Sequence, residues 1–352
     1  MPRMSINFNL IIKGLNYSFI PLVRLFAIYH ALGGDAYKLV ILYYALLGAI
    51  PELFTLLIDS KGMNESIYKE LSKPLCIISA TVMLLLFLLE SINPVYLILV
   101  YLVFDQLILI TIKKDTDSLD YRYLLSRIGI ICAIYYNVFV LMPLIVIITL
   151  VALKILNFKI PILLCNKSIY YEIKLSVLCV LITRTKDYFL NDLIQASIID
   201  NTNYFLVTLV TRTVFIICSF HYGVLREYYS LANIGNYLSK LLSIFYLLSM
   251  LFMAIVLLLT YSLNFNYIIY IALYHSLLLG FENIFSQVLL IMRENSFFQI
   301  ISINLILLLS LIIIKILLFG KIILIENVYY YLILSSFAVL IYIKIRYIRS
   351  IY

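Results

Sequence analysis

The chain has no tryptophan, and its 352 residues hold only 3 histidines, 10 glycines and 7 prolines, with charged side chains at 12%. Each scarcity excludes something. So little charge cannot clothe a soluble globule when 64% of residues are apolar and the mean hydropathy is +1.08. The glycines form no phosphate-cradling loop, and neither a nucleophile elbow nor a metalloprotease helix occurs. The histidines, His30, His221 and His275, are scattered, so no cluster marks a metal, and no cofactor is expected. Five cysteines, Cys76, Cys132, Cys165, Cys179 and Cys218, lie in or at the ends of apolar segments without metal-like spacing, which points to packing as their role.

What is present is apolar sequence in long runs. Ala80 to Leu89 and Leu144 to Leu153 are almost continuously apolar, without the alternation of a membrane β-barrel. Helices are the remaining way to satisfy every backbone amide in lipid, so the expected fold is an all-α polytopic membrane protein. The apolar run after Lys13 continues to His30 without a convincing cleavage site, so the first helix is expected to be retained rather than removed as a signal peptide.

Ten spans of roughly the required length of about 20 residues can be placed, at 8–29, 38–58, 74–90, 94–112, 173–193, 203–222, 240–262, 267–290, 297–319 and 327–347. Residues 123–165 form either one long helix or a hairpin turning near Met142 and Pro143. The positive-inside rule selects the hairpin. It leaves Lys38, Lys315 and Lys321 as the cations on external flanks, while most of the 26 Lys and Arg residues fall on cytoplasmic flanks, Arg127 and Arg226 among them. About twelve transmembrane helices follow, with both termini cytoplasmic and six helices on each side of a short polar link at Asn166. The expected domains are an N-terminal half, 1–166, and a C-terminal half, 167–352, around a central cavity. The same sequence interval separates Arg24 from Arg184 and Glu52 from Arg212, a weak echo between the halves.

Charge inside the spans is the feature to explain. A cation at a helix centre costs about 2.5 to 3.5 kcal/mol on insertion scales, yet Arg24, Arg184, Lys186 and Arg212 all lie there. One explanation is pairing with Glu52, Asp105 or Asp187, or snorkelling to headgroups. The other is a shared electropositive cavity in which guanidinium forks grip a phosphate or pyrophosphate. We favour the cavity, with Arg24, Arg184, Lys186 and Arg212 as substrate-binding candidates. Glu52, Asp105, Asp187 and Glu282 are the carboxylates available for pairing or ion coupling. Asp187 shares a helix face with Arg184 and is expected to hold it in place. His275 and Glu282 share a face, a relay or a polar contact between helices. Lys154 and Lys159 read as snorkelling cations near the end of the sixth helix. Most of the 31 tyrosines, including Tyr121, Tyr123, Tyr171 and Tyr329 to Tyr331, read as interface anchors.

Several stretches together resemble a known family. Residues Ile173 to Ser230 contain Arg184-Thr185-Lys186-Asp187-Tyr188-Phe189-Leu190 and then the basic Leu225-Arg226-Glu227-Tyr228. Arg293-Glu294-Asn295 leads into Asn304, and Lys13-Gly14 precedes the turn Leu32-Gly33-Gly34-Asp35-Ala36-Tyr37. In layout the chain resembles the polysaccharide flippases of the multidrug/oligosaccharidyl-lipid/polysaccharide exporter superfamily, the O-antigen (Wzx-type) flippases in particular. The resemblance implies a non-enzymatic transporter in a bacterial inner (plasma) membrane. Its substrate would be a polyprenyl-pyrophosphate-linked oligosaccharide, its surroundings membrane lipids and other polysaccharide-assembly proteins, with no nucleic acid involved. A glycan polymerase or ligase and an ion-coupled small-molecule exporter are the competing readings. The short external loops argue against the first, and an electropositive lumen suits cationic drugs poorly.

Overall fold

The computed structural model describes residues 19–59, 65–89, 93–112, 117–157, 167–198, 200–209, 211–212, 275, 296–324 and 327–343. These residues are 89% helical and include no strand. Among the described residues, three helical stretches are long and apolar enough to cross a membrane, Gly34–Phe54, Pro94–Ile112 and Ile300–Phe319, which supports membrane association. The chain divides into two compact units, Met1–Arg184 and Thr185–Tyr352.

In the first unit, α1 (Ile20–Leu32) starts with a proline in its first turn and stops at Gly33. Gly33 has φ 75°, a left-handed backbone that β-carbon-bearing residues adopt at a cost, and its N–H returns to the Tyr29 carbonyl at 3.0 Å. Helix α2 (Gly34–Leu47) follows at once. The sequence-derived span 38–58 is interrupted at Gly48, where α3 (Ala49–Asp59) begins. Pro51 explains the break, because its ring clashes with the carbonyl four residues back in a continuing helix.

Helix α4 (Glu65–Leu88) packs on α5 (Pro94–Ile112). The bounds of α5 coincide with the expected span, and Asn93 Oδ1 accepts a hydrogen bond from the Val95 N–H at 3.1 Å to cap its start. Apolar almost all round, α5 is largely buried and touches α1, α2, α3 and α4. Its last turn is tied to α4 by a 2.7 Å bond between the Ser72 and Thr111 hydroxyls.

The ambiguous stretch is a hairpin of α6 (Asp117–Tyr135) and α7 (Leu141–Ala152). The chain reverses at residues 136–140, earlier than the expected Met142 and Pro143, since Pro143 fits the first turn of α7 without losing a bond. Asn137, at φ 59°, ends α6, and Lys154, at φ 54°, ends α7. In both, the next N–H reaches five residues back, Val138 to Ala133 at 2.8 Å and Ile155 to Leu150 at 3.0 Å, which is the Schellman pattern. Lys154 therefore closes a helix instead of lying within one, and Lys159 lies outside the described residues. Arg122 Nη1 donates to the Ala152 carbonyl at 3.0 Å and satisfies an orphan acceptor at the end of α7. Helix α7 has 12 residues, about 18 Å, less than the roughly 30 Å hydrocarbon thickness.

Helix α8 (Lys167–Ser197) has 31 residues and carries the chain from the first unit into the second. The polar link at Asn166 lies outside the described residues. In the second unit, residues 201–209 are helical, and α9 (Ser296–Phe319) packs against α10 (Val328–Ile343). Lys321, at φ 57°, ends α9 by the same Schellman pattern, with the Ile322 N–H 2.9 Å from the Leu317 carbonyl. The expected spans 240–262 and 267–290 lie outside the described residues apart from His275, which is helical and buried.

Candidate functional site

Asp105, in the middle of α5, is among the most enclosed charges of the described residues. Arg24 of α1 donates from Nη1 to Asp105 Oδ2. Arg127 of α6 donates from Nη2 to the same oxygen at 2.8 Å. The Tyr123 hydroxyl bonds to Oδ1 and stands 2.8 Å from the Asp105 backbone carbonyl. Each guanidinium also lies over a ring, Arg24 over Tyr101 at 5.9 Å and Arg127 over Tyr123 at 5.1 Å. The side chains of Arg24, Asp105 and Arg127 are only 6%, 1% and 1% exposed. Two cations thus share one carboxylate out of contact with solvent, and Arg24 Nε has no hydrogen-bond partner among the described residues.

The cluster corrects two expectations. Arg127 was placed on a cytoplasmic flank by charge counting, and Tyr123 among the interface anchors. Both face inward instead, because the turn of α6 that carries them packs toward α5, while neighbouring Arg122 and Tyr121 remain exposed. Counting assigns cations to a side of the membrane and is blind to helix face. The signal that could have found them is the spacing of Tyr123 and Arg127, four apart on one face of a helix. Cys132 is likewise exposed, whereas Cys76 and Cys179 are buried.

A second pair is built differently. Arg184 of α8 donates from Nε to Glu52 of α3, and the two side chains are 22% and 21% exposed. The guanidinium lies against the backbone break at Gly48. A β-carbon there would come within 2.8 Å of Arg184 Nη1, so a larger residue would require the end of the arginine side chain to shift. The interruption between α2 and α3 therefore makes the seat for Arg184 one turn before the carboxylate that binds it. Glu52 thus meets Arg184, whose expected anchor was Asp187, and Asp187 Oδ1 lies 3.4 Å from Lys186 Nζ.

In the second unit Lys186 borders a small cleft with His275, Ser335, Ser336 and leucines of α8, α9 and α10. Lys315, expected on an external flank, lies within α9, 2.5 Å from Asp192 Oδ2 and 5.1 Å from the Phe189 ring centre. Arg212 is exposed where the described helical stretch ends, and Glu282 lies outside the described residues. Throughout Ile182 to Asp192, every residue of α8 is half-buried, on all its faces. No group of acidic, histidine and cysteine side chains suited to a metal occurs among the described residues.

The pairing explanation thus describes Arg24 and Arg184 in this structure. Arg24 is locked in a closed cluster, and Arg184 is paired where both side chains are partly exposed. Comparison with protein-family models, curated proteins and solved structures finds no match to this chain.

Proposed function

We propose that this protein is a membrane flippase that moves a polyprenyl-pyrophosphate-linked oligosaccharide, such as an O-antigen repeat unit, across a bacterial inner membrane without chemical change. The proposal includes the finer architecture, twelve helices in two six-helix halves, residues 1–166 and 167–352, with both termini cytoplasmic and alternating access between the halves. The observation that carries it is the charged centre of α8. Arg184, Lys186, Asp187 and Asp192 occupy a stretch of helix that is half-buried on every face, inside a chain with 12% charged residues.

A helix held in lipid would expose apolar side chains, and a core helix such as α5 would bury them. The middle of α8 does neither, which suits a polar passage. Arg184 is the best-placed group for a diphosphate, because its fork matches phosphate oxygens and its side chain is accessible. Arg24, enclosed with Asp105 and Arg127, is better suited to holding α1, α5 and α6 together. That enclosure also speaks against the exporter reading in one respect. A coupling carboxylate has to exchange protons or ions with water, and Asp105 is wrapped by two arginines and a tyrosine.

The test is deletion of the gene in its host, followed by assay of which leaflet accumulates lipid-linked oligosaccharide. Single repeats trapped on the cytoplasmic leaflet are expected. Single repeats on the outer leaflet would assign the polymerase reading, and no accumulation would favour the exporter.

A further inference from the structure

We infer that Glu52 is a built-in stand-in ligand for Arg184, occupying a polyanion site that the phosphates of an incoming substrate take over by displacing it. The inference rests on the proposal that Arg184 meets substrate phosphate, and adds what holds the site in the substrate's absence.

Three features of the pair support it. First, both side chains are about one-fifth exposed, whereas the other arginine–carboxylate cluster in the same unit is closed. An anion can reach a partly exposed pair and cannot reach the closed one. Second, the Arg184 guanidinium lies close over Gly48, where a β-carbon would come within 2.8 Å of Nη1 and the end of the arginine side chain would have to shift. Glycine at that position leaves the end of the Arg184 side chain room beside Glu52. Third, Glu52 meets Arg184 through Nε. A phosphate offers three oxygens and up to two charges to the same fork, so it competes well with a single carboxylate.

The physical advantage lies in the empty state. An arginine without a counter-ion in a low-dielectric passage is costly, and a carboxylate one helix away neutralises it until an anion arrives. The same carboxylate lowers the apparent affinity for that anion by the fraction of time that it occupies the arginine, which allows release as well as capture. The ligand class is accordingly a polyanion with closely spaced phosphate oxygens, whether attached to a lipid or free.

The experiment is titration of inorganic pyrophosphate into the full-length protein in phosphatidylcholine nanodiscs. Glu52→Gln is expected to tighten binding by about tenfold, if the pair ties up Arg184 about nine-tenths of the time. Glu52→Asp, which retains the charge but withdraws it by a methylene, is expected to give a smaller gain and serves if the first variant fails to fold. Arg184→Gln is expected to abolish binding. Lost binding in Arg184→Gln with no gain in either Glu52 variant would overturn the stand-in role and leave the anion reading intact. Binding unchanged in Arg184→Gln would overturn both. A lipid-bound source is distinguished from a free one by repeating the titration with a short-chain polyprenyl diphosphate, which gains affinity over pyrophosphate if the tail is read as well.

Discussion

Arg127 Nη2 lies 2.8 Å from Asp105 Oδ2, joining α6 to the centre of α5 in a cluster where Arg24 claims the same oxygen. Because two cations share one anion, the cluster responds unequally to loss of its members.

Asp105→Asn removes the carboxylate that two buried guanidiniums share and is expected to cost about 3 to 5 kcal/mol, the scale of a broken buried pair. Arg24→Met leaves a balanced Arg127–Asp105 pair and is expected to stay within the ordinary range of about 0.5 to 3 kcal/mol. Thermal unfolding in detergent checks the order, and an Arg24 variant less stable than the Asp105 variant would contradict it.

Gly48→Ala is expected to lower stability by no more than about 1 kcal/mol, because the new methyl has to displace only the far end of the flexible Arg184 side chain. The loss should shrink markedly when Arg184 is also changed to alanine. A double-mutant cycle measures this coupling, and additive losses would place the strain elsewhere.

Arg184→Glu is expected to abolish transport while the protein still inserts in the membrane, since it sets two carboxylates against each other. The charge swap Glu52→Arg with Arg184→Glu should recover melting temperature without recovering transport, because the passage then lacks its fork at position 184. Transport at full rate in either variant counts against Arg184 as the phosphate group's partner.

Lys154 ends α7 in a left-handed conformation that costs a residue with a β-carbon about 1 to 2 kcal/mol. Lys154→Gly is therefore expected to raise the melting temperature, by up to about 1 kcal/mol in stability after glycine's greater unfolded-state entropy is deducted. Asn137→Gly should gain less, because asparagine already tolerates this backbone. Gly33→Ala, at φ 75°, should do the opposite.

Much of the fold is legible because it depends on short-range physics. Pro94, Asn93 and a long, mostly apolar run suffice to bound α5, and α9 and α10 agree with their expected spans within a few residues. The hairpin in 117–157 follows from charge balance, although its turn was displaced by the tolerance of Pro143 for a first helical turn. The interruption at Gly48 was missed, since Pro51 inside an apolar run reads equally as a tolerated kink.

The sequence by itself determined that this is a helical chain too apolar for water, with cations in its spans that need a counter-charge or a polar passage. Solvation energy dictates both, whatever the helices touch. Only the tertiary structure decided which carboxylate meets which cation: Asp105 with Arg24 and Arg127, Glu52 with Arg184. Those partners lie far apart along the chain, and their pairing depends on helix rotation and depth, to which composition and charge counting are blind. The same packing made one cluster closed and the other accessible, and that difference separates a structural arginine from a candidate binding one.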